Sequence, residues 1–146
     1  MIYSYYPQWP HNYRYELNKD MHLSAAHYIP SEEAGKCRRV HGHTYTINVT
    51  VAGDELNQNG FLIDFTVLKK WIHKRYDHTM LNDHPEFASE ETEAAYPTTE
   101  VVAQVIWKTV QQKLDETSNK PKCLQVLVRE TPTSYAVFRP KEGDFS

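Results

Sequence analysis

From His43 to Gly53 the chain alternates strictly, with Tyr45, Ile47, Val49 and Val51 on one face and Thr44, Thr46, Asn48 and Thr50 on the other. A period of two marks a strand with one buried face, and β-branched residues suit its pleat. From Tyr13 to Ile29, apolar or aromatic residues recur at odd positions (Tyr13, Tyr15, Leu17, Met21, Leu23, Ala25) and predict an earlier strand. The apolar phase lapses at Asn18-Lys19-Asp20, where a turn or bulge is expected. After the turn-prone Asn57-Gln58-Asn59-Gly60, Asp64 stands as an N-cap before Phe65, Leu68 and Ile72, so a helix is expected through Tyr76. A second helix opens after Pro97 with Thr98 as its cap and ends near Ser118-Asn119. Val102, Val105, Ile106, Thr109 and Leu114 form its inward stripe. Lys122 to Arg139 reads as two strands about a Thr131-Pro132-Thr133 turn, with Leu124, Val126 and Val128 in one phase and Tyr135 and Val137 following.

The order ββααββ predicts an α+β fold: an antiparallel four-stranded sheet with the two helices covering one face. A length of 146 residues fits one domain, 1–146, with residues 1–12 as an N-terminal extension. A domain this small buries a modest share of its surface, so a subunit interface is a natural supplement and a homo-oligomer is expected. The formal net charge of -3 gives no global electrostatic reason for nucleic acid or an acidic membrane as partner, which leaves a small molecule. Cys37 and Cys123 are too few for a disulfide framework and read as free thiols of a reducing compartment. The tyrosine-rich N-terminal segment lacks the apolar core of a signal peptide, and no apolar run approaches the roughly 20 residues that cross a bilayer. A cytoplasmic protein is expected.

The candidate chemistry gathers in Lys36-Cys37-Arg38-Arg39-Val40-His41-Gly42-His43. His41 and His43 are two apart at a strand entry and point to the same side. His27, in phase with Leu23 and Ala25, comes beside them if the two strands pair antiparallel. Three imidazoles leave a fourth position open, and zinc fits that set best. Two histidines flanking a glycine are also ordinary polar residues at a strand end, and spacing alone does not separate the readings. Cys37 is either a small buried hydrophobe or a reactive thiol. Lys36, Arg38 and Arg39 around it favour the thiolate, which suits a base. Asp77-His78, in the loop after the first helix, and Glu130, at the exit of a core-phased strand, are read either as solvated charge or as parts of a proton relay.

These residues, in this order, resemble the 6-pyruvoyltetrahydropterin synthase family. The matching pieces are Ala25-Ala26-His27, Cys37 with three residues before His41-Gly42-His43, Gly60-Phe61-Leu62-Ile63-Asp64-Phe65, Asp77-His78 followed by Leu81-Asn82, Pro97-Thr98-Thr99-Glu100, and Arg129-Glu130-Thr131. Three intervening residues resemble the family's 6-carboxy branch, which serves the deazaguanine route to queuosine; the animal pyruvoyl enzymes have five. The resemblance implies a T-fold whose subunits join edge to edge into a barrel, with trimers stacked into a hexamer. It implies Zn2+ held by His27, His41 and His43, and 7,8-dihydroneopterin triphosphate as substrate. Glu130 then anchors the pterin ring, a planar bidentate match, and Thr98 assists, although helix capping accounts for Thr98 equally well. Cys37 is the implied base, and His78 paired with Asp77 the implied relay. Triphosphate leaves, and the side chain is cleaved to a carboxylate with release of acetaldehyde. Two other readings stand beside this one: the pyruvoyl reaction on the same substrate, and a non-catalytic pterin- or purine-binding T-fold oligomer. His11, His22, His73 and His84 are read as non-ligands. The acidic stretch Asp83 through Glu93 is read as a solvated connector, and Lys36, Arg38 and Arg39 as candidate triphosphate contacts.

Overall fold

The computed structural model describes residues 6–88 and 95–145. Two long strands, β1 (Tyr15–His27) and β2 (His41–Gly53), pair antiparallel along their whole length, from Tyr15 opposite Gly53 to His27 opposite His41. Helices α1 (Phe65–Tyr76) and α2 (Thr99–Asp115) follow, with a two-residue strand β3 (Thr79–Met80) between them, and β4 (Lys122–Thr131) and β5 (Ser134–Phe138) close the chain. The sheet order is β3-β1-β2-β4-β5, so the four expected antiparallel strands gain a fifth, β3, which runs parallel to β1 at Ala25 and Ala26. Two residues are too few to carry a periodicity, which is why β3 has no signature in the sequence. Among the described residues no helix is long and apolar enough to cross a membrane.

The alternation on β2 holds: Tyr45, Ile47, Val49 and Val51 are fully buried beneath the helices. On β1 the odd positions Met21, Leu23, Ala25 and His27 face the same way. No turn interrupts Asn18-Lys19-Asp20, contrary to expectation. The outer face there is polar on both strands and satisfies itself across the ladder: Asn48 donates to Asp20 at 2.8 Å and Thr50 donates to Asn18 at 2.7 Å. Part of the N-terminal extension covers this face. The carbonyl of Pro7 accepts from Gln125 Nε2, and Trp9 lies under the guanidinium of Arg139, which itself donates to Gln125.

Asp64 caps α1, accepting from the backbone of Thr66 at 2.7 Å, and Leu68, Ile72 and Tyr76 are its buried face. Phe65 shares the helical spacing of that stripe but, as the first residue of the helix, is 54% exposed. Thr98 caps α2, which ends at Asp115, a few residues earlier than expected. Thr109 is only partly buried and turns its hydroxyl back to the carbonyl of Val105. On β4 the core phase passes from Cys123 to Val126 rather than through Leu124. A bulge places Leu124 between the pairs Val51–Cys123 and Thr50–Gln125, and α2 holds the backbone of Cys123 on both sides, through Gln111 and Trp107. On β5 the residues opposite Val126 and Val128 are Phe138 and Ala136, so Tyr135 and Val137 lie on the other face.

The stretch after β3 is better anchored than a solvated connector. Glu86 accepts both guanidinium hydrogen bonds of Arg75 and the hydroxyl of Tyr76, while Phe87 and Ala88 are buried. The remainder, through Glu93, lies outside the described residues. Burial opposes ionisation of Glu86, but the hydrogen bonds from Arg75 and Tyr76 outweigh it and hold its pKa at about 2.

Two outcomes test this architecture. Ile72→Ala should cost ~2–5 kcal/mol in urea unfolding, since it empties a fully buried site, whereas Phe65→Ala should stay within about 0.5 kcal/mol. The Glu86 carboxyl is depressed from 4.5, so its stabilisation is complete above that pH and fades as pH falls toward 2. Glu86→Gln should therefore lower Tm at neutral pH, and the gap from the parent should close across that acid window.

Candidate metal centre

The ladder between β1 and β2 does the first work of assembly, because it sets His27 directly opposite His41 and His43 opposite Ala25. All three histidines share the face that carries the core, at the end where both strands meet the 3-10 segment Glu32–Arg38. Ala25 offers only a methyl group there, which leaves space for the imidazole of His43. The ring centroids lie 4.5 to 5.1 Å apart. Glu130, in phase with Val126 and Val128, arrives from β4 on the same face, and one ligand atom from each of His27, His41, His43 and Glu130 falls within 4.8 Å of the others.

Backbone carbonyls fix how these rings present themselves. His27 Nδ1 donates to the carbonyl of Pro97 and His41 Nδ1 to that of Arg39, each at 2.7 Å. A carbonyl only accepts, so both rings carry their proton on Nδ1 and turn an Nε2 lone pair inward. Those two Nε2 atoms are 3.0 Å apart. Lone pairs at that separation repel unless a positive centre lies between them. Two nitrogens bonded to one tetrahedral ion at about 2.0–2.1 Å stand about 3.3 Å apart, close to the observed spacing. His43 Nε2 is buried and has no hydrogen-bond partner, although Glu130 Oε1 is 2.7 Å away. The group therefore fits a metal ion on its own chemistry. Burial holds the pKa of His27 below its usual value, which favours the neutral ligand form, and the neighbouring His41 acts in the same direction.

Glu130 has its second oxygen bound by the hydroxyl of Thr99, at the first turn of α2. Its first oxygen is 3.5 Å from His27 Nε2. Sequence reasoning singled out Thr98, but its hydroxyl is used as the helix cap and Thr99 makes the contact. Tyr45, another unflagged residue, is buried with its hydroxyl 3.4 Å from His27 Nδ1; burial and Glu130 raise its pKa well above 10. The only available signal for Tyr45 was its phase with His41 and His43.

Cys37 and the Asp77-His78 pair are not within this group. Cys37 is exposed in the 3-10 segment, whose carbonyl at that residue accepts from Ile29 at 2.7 Å and so ties the segment to the end of β1. Asp77 closes α1 and accepts from the backbone of Ser24 at 3.0 Å, while His78 N–H donates to the carbonyl of Ser24. Asp77 Oδ2 is 3.5 Å from His78 Nε2 and 3.7 Å from His73 Nδ1. His78 holds a positive φ of 58°, uncommon outside glycine, and its side chain is 81% exposed. The dyad thus stands at the β1–β3 edge and faces solvent. His84 bonds Thr79 and packs on Tyr76, outside the histidine cluster.

Residues 16–141 match the family model of 6-pyruvoyl tetrahydropterin synthase. A 6-carboxy-5,6,7,8-tetrahydropterin synthase of Bacillus subtilis is 62% identical over 143 residues, covering 98% of this chain and 97% of the relative. A protein of the same name from Synechocystis is 37% identical over 86% of the chain and 94% of the relative. The 6-pyruvoyl tetrahydrobiopterin synthase of Drosophila melanogaster is 33% identical over 74% of the chain and 64% of the relative. In three dimensions the Caenorhabditis elegans 6-pyruvoyl tetrahydropterin synthase has a TM-score of 0.66 at 24% identity, with 87% of this chain and 96% of that one covered, an agreement of fold. The chain belongs to the 6-pyruvoyl tetrahydropterin synthase family.

Proposed function

We propose that the protein converts 7,8-dihydroneopterin triphosphate and water to 6-carboxy-5,6,7,8-tetrahydropterin, acetaldehyde and triphosphate, as a zinc-dependent cytoplasmic enzyme of queuosine biosynthesis. The observation that carries this reading is the 62% identity, end to end, with a relative that bears the 6-carboxy name. The three inward Nε2 atoms of His27, His41 and His43 support zinc, a borderline ion that favours imidazole and leaves a position for substrate. When bound there, zinc supplies Lewis acidity that lowers the pKa of a coordinated hydroxyl and stabilises charge on the neighbouring carbon.

The chain's own residues do the rest. Glu130 accepts two hydrogen bonds from the guanidine-like edge of the pterin, a role that requires it to leave His43 and keep Thr99 as its support. Cys37, carried on a segment tied to the end of β1, takes the proton from the side-chain carbon. His78, oriented by Asp77, returns and relays protons during tautomerisation. Thr98 contributes through its position at the start of α2, where its neighbour Thr99 reaches Glu130. The dyad's exposure at a sheet edge is consistent with edge-to-edge association of copies into the expected hexamer, in which one chain's edge completes another's site.

The pyruvoyl reaction is the second reading, favoured by the 33% identity with the Drosophila enzyme. It keeps all the side-chain carbons, so the products separate the two. Mass spectrometry after incubation of zinc-loaded protein with 7,8-dihydroneopterin triphosphate should find the 6-carboxy pterin together with acetaldehyde. A pyruvoyl product would move the assignment within the family, and no turnover would favour a pterin-binding oligomer. In the same assay Cys37→Ala should abolish turnover and retain the metal; full activity would remove Cys37 as base.

Metal content tests the ligand set separately. His41→Ala should lose zinc on dialysis, whereas Glu130→Gln should keep about one ion per chain by inductively coupled plasma mass spectrometry. Zinc lost from Glu130→Gln would make that carboxylate a fourth ligand and take it away from the pterin.

A further inference from the structure

A groove of about 900 Å³ runs between α1 and α2, away from the histidine cluster and sharing no residue with it. Its α1 wall is the stripe Val67, Lys70, Trp71, Lys74 and Arg75, and its α2 wall is Thr109, Gln112 and Lys113. These spacings of three and four put each set on one helical face. The chain as a whole is net negative, yet α1 holds Lys69, Lys70, Lys74 and Arg75 with no acidic residue in it. Lys70 and Lys74 are four apart, an arrangement in which like charges disfavour the helix that carries them. Arg75 is neutralised by Glu86, the single carboxylate among the described residues that line the groove, which is also held by Tyr76. Lys70, Lys74 and Lys113 form no ion pair with any described carboxylate, so the described lining of the groove carries a net positive charge on facing walls. Trp71 is half-buried and packs on the core with the rest of its ring in the groove, beside Val67.

An aromatic floor, three ammonium groups that pair with no carboxylate among the described residues and the side-chain amide of Gln112 form a combination that plain surface charge does not explain. The volume lies in the range of small-molecule pockets. The ring offers a stacking face for a planar base, the amide a partner for its polar edge, and the lysines a seat for a phosphate chain. We propose that this groove is a binding site for a nucleoside triphosphate, separate from the pterin site.

The test is calorimetric titration of ATP into the zinc-loaded full chain. The parent should bind one ATP per chain. The Lys70→Glu, Lys74→Glu double variant should weaken binding about tenfold, with zinc content and pterin turnover unchanged, because these exposed residues take no part in the reaction. Trp71→Leu should weaken ATP but not inorganic tripolyphosphate. A third variant, His27→Ala, guards against ATP occupying the triphosphate seat of the pterin substrate, and it should bind ATP as the parent does. Binding abolished by His27→Ala and untouched by the lysine reversals would overturn the proposal. So would the absence of saturable heat, or tripolyphosphate bound as tightly as ATP, which would leave the aromatic floor without a role.

Discussion

The register between β1 and β2 is the constraint on which the rest depends. Thirteen consecutive pairs run from Tyr15–Gly53 to His27–His41, and the last of them joins two members of the histidine cluster. A strand's side chains alternate faces, so a slip of one residue would expose Met21, Leu23 and Ala25 and throw His27 to the opposite face from His41 and His43. The fold cannot keep its core and lose its site, or the reverse. That coupling is why an exacting geometry sits at the end of the most extensive pairing in the molecule, where the hydrophobic interior of Tyr45, Ile47, Val49 and Val51 has already fixed the alignment.

Register alone brings the imidazoles together without deciding their chemistry. The decision is made by two carbonyls, of Pro97 and Arg39, that take the Nδ1 protons of His27 and His41. Each carbonyl belongs to a segment just outside a regular element, the approach to α2 in one case and the entry to β2 in the other. The start of α2 also supplies Thr99 to Glu130. One helix terminus thus orients the ring of His27 and holds the carboxylate of Glu130. Without a cation, the inward lone pairs and the unpartnered His43 Nε2 are an electrostatic cost that the packed sheet must bear. A bound metal converts that cost into stabilisation, so ligand binding and folding share one free energy.

Much of this was legible in the sequence. The alternation of β2, the caps Asp64 and Thr98, and the common phase of His27, His41, His43 and Glu130 all follow from a period of two or from local capping chemistry. What was illegible had non-local or backbone causes. The lapse at Asn18-Lys19-Asp20 looked like a turn because the partners of Asn18 and Asp20, Thr50 and Asn48, lie about thirty residues away. Cys123 replaces Leu124 in the core because side chains of α2 grip its backbone at a bulge. Thr99 rather than Thr98 reaches Glu130, since two adjacent threonines differ only in the direction the helix start gives them. Pro97 and Arg39 act through carbonyls, which every residue has, and no residue type announces them.

The open side of the sheet gives the architecture its last consequence. Among the described residues β3 pairs with β1 only at Ala25 and Ala26, so from Tyr15 to Ser24 the outer edge of β1 has no strand beside it. A long unpaired edge is a liability unless something covers it. At its one guarded point, Ser24, both backbone groups are taken by Asp77 and His78, and the price is a left-handed backbone at His78. Strain of that kind persists where the surroundings overdetermine it. Here it fixes a histidine in solvent, beside a carboxylate, at the edge that association would cover. The proposed oligomer would give the open edge, the strained residue and the exposed dyad a single explanation, because a contact that covered the edge would also enclose His78.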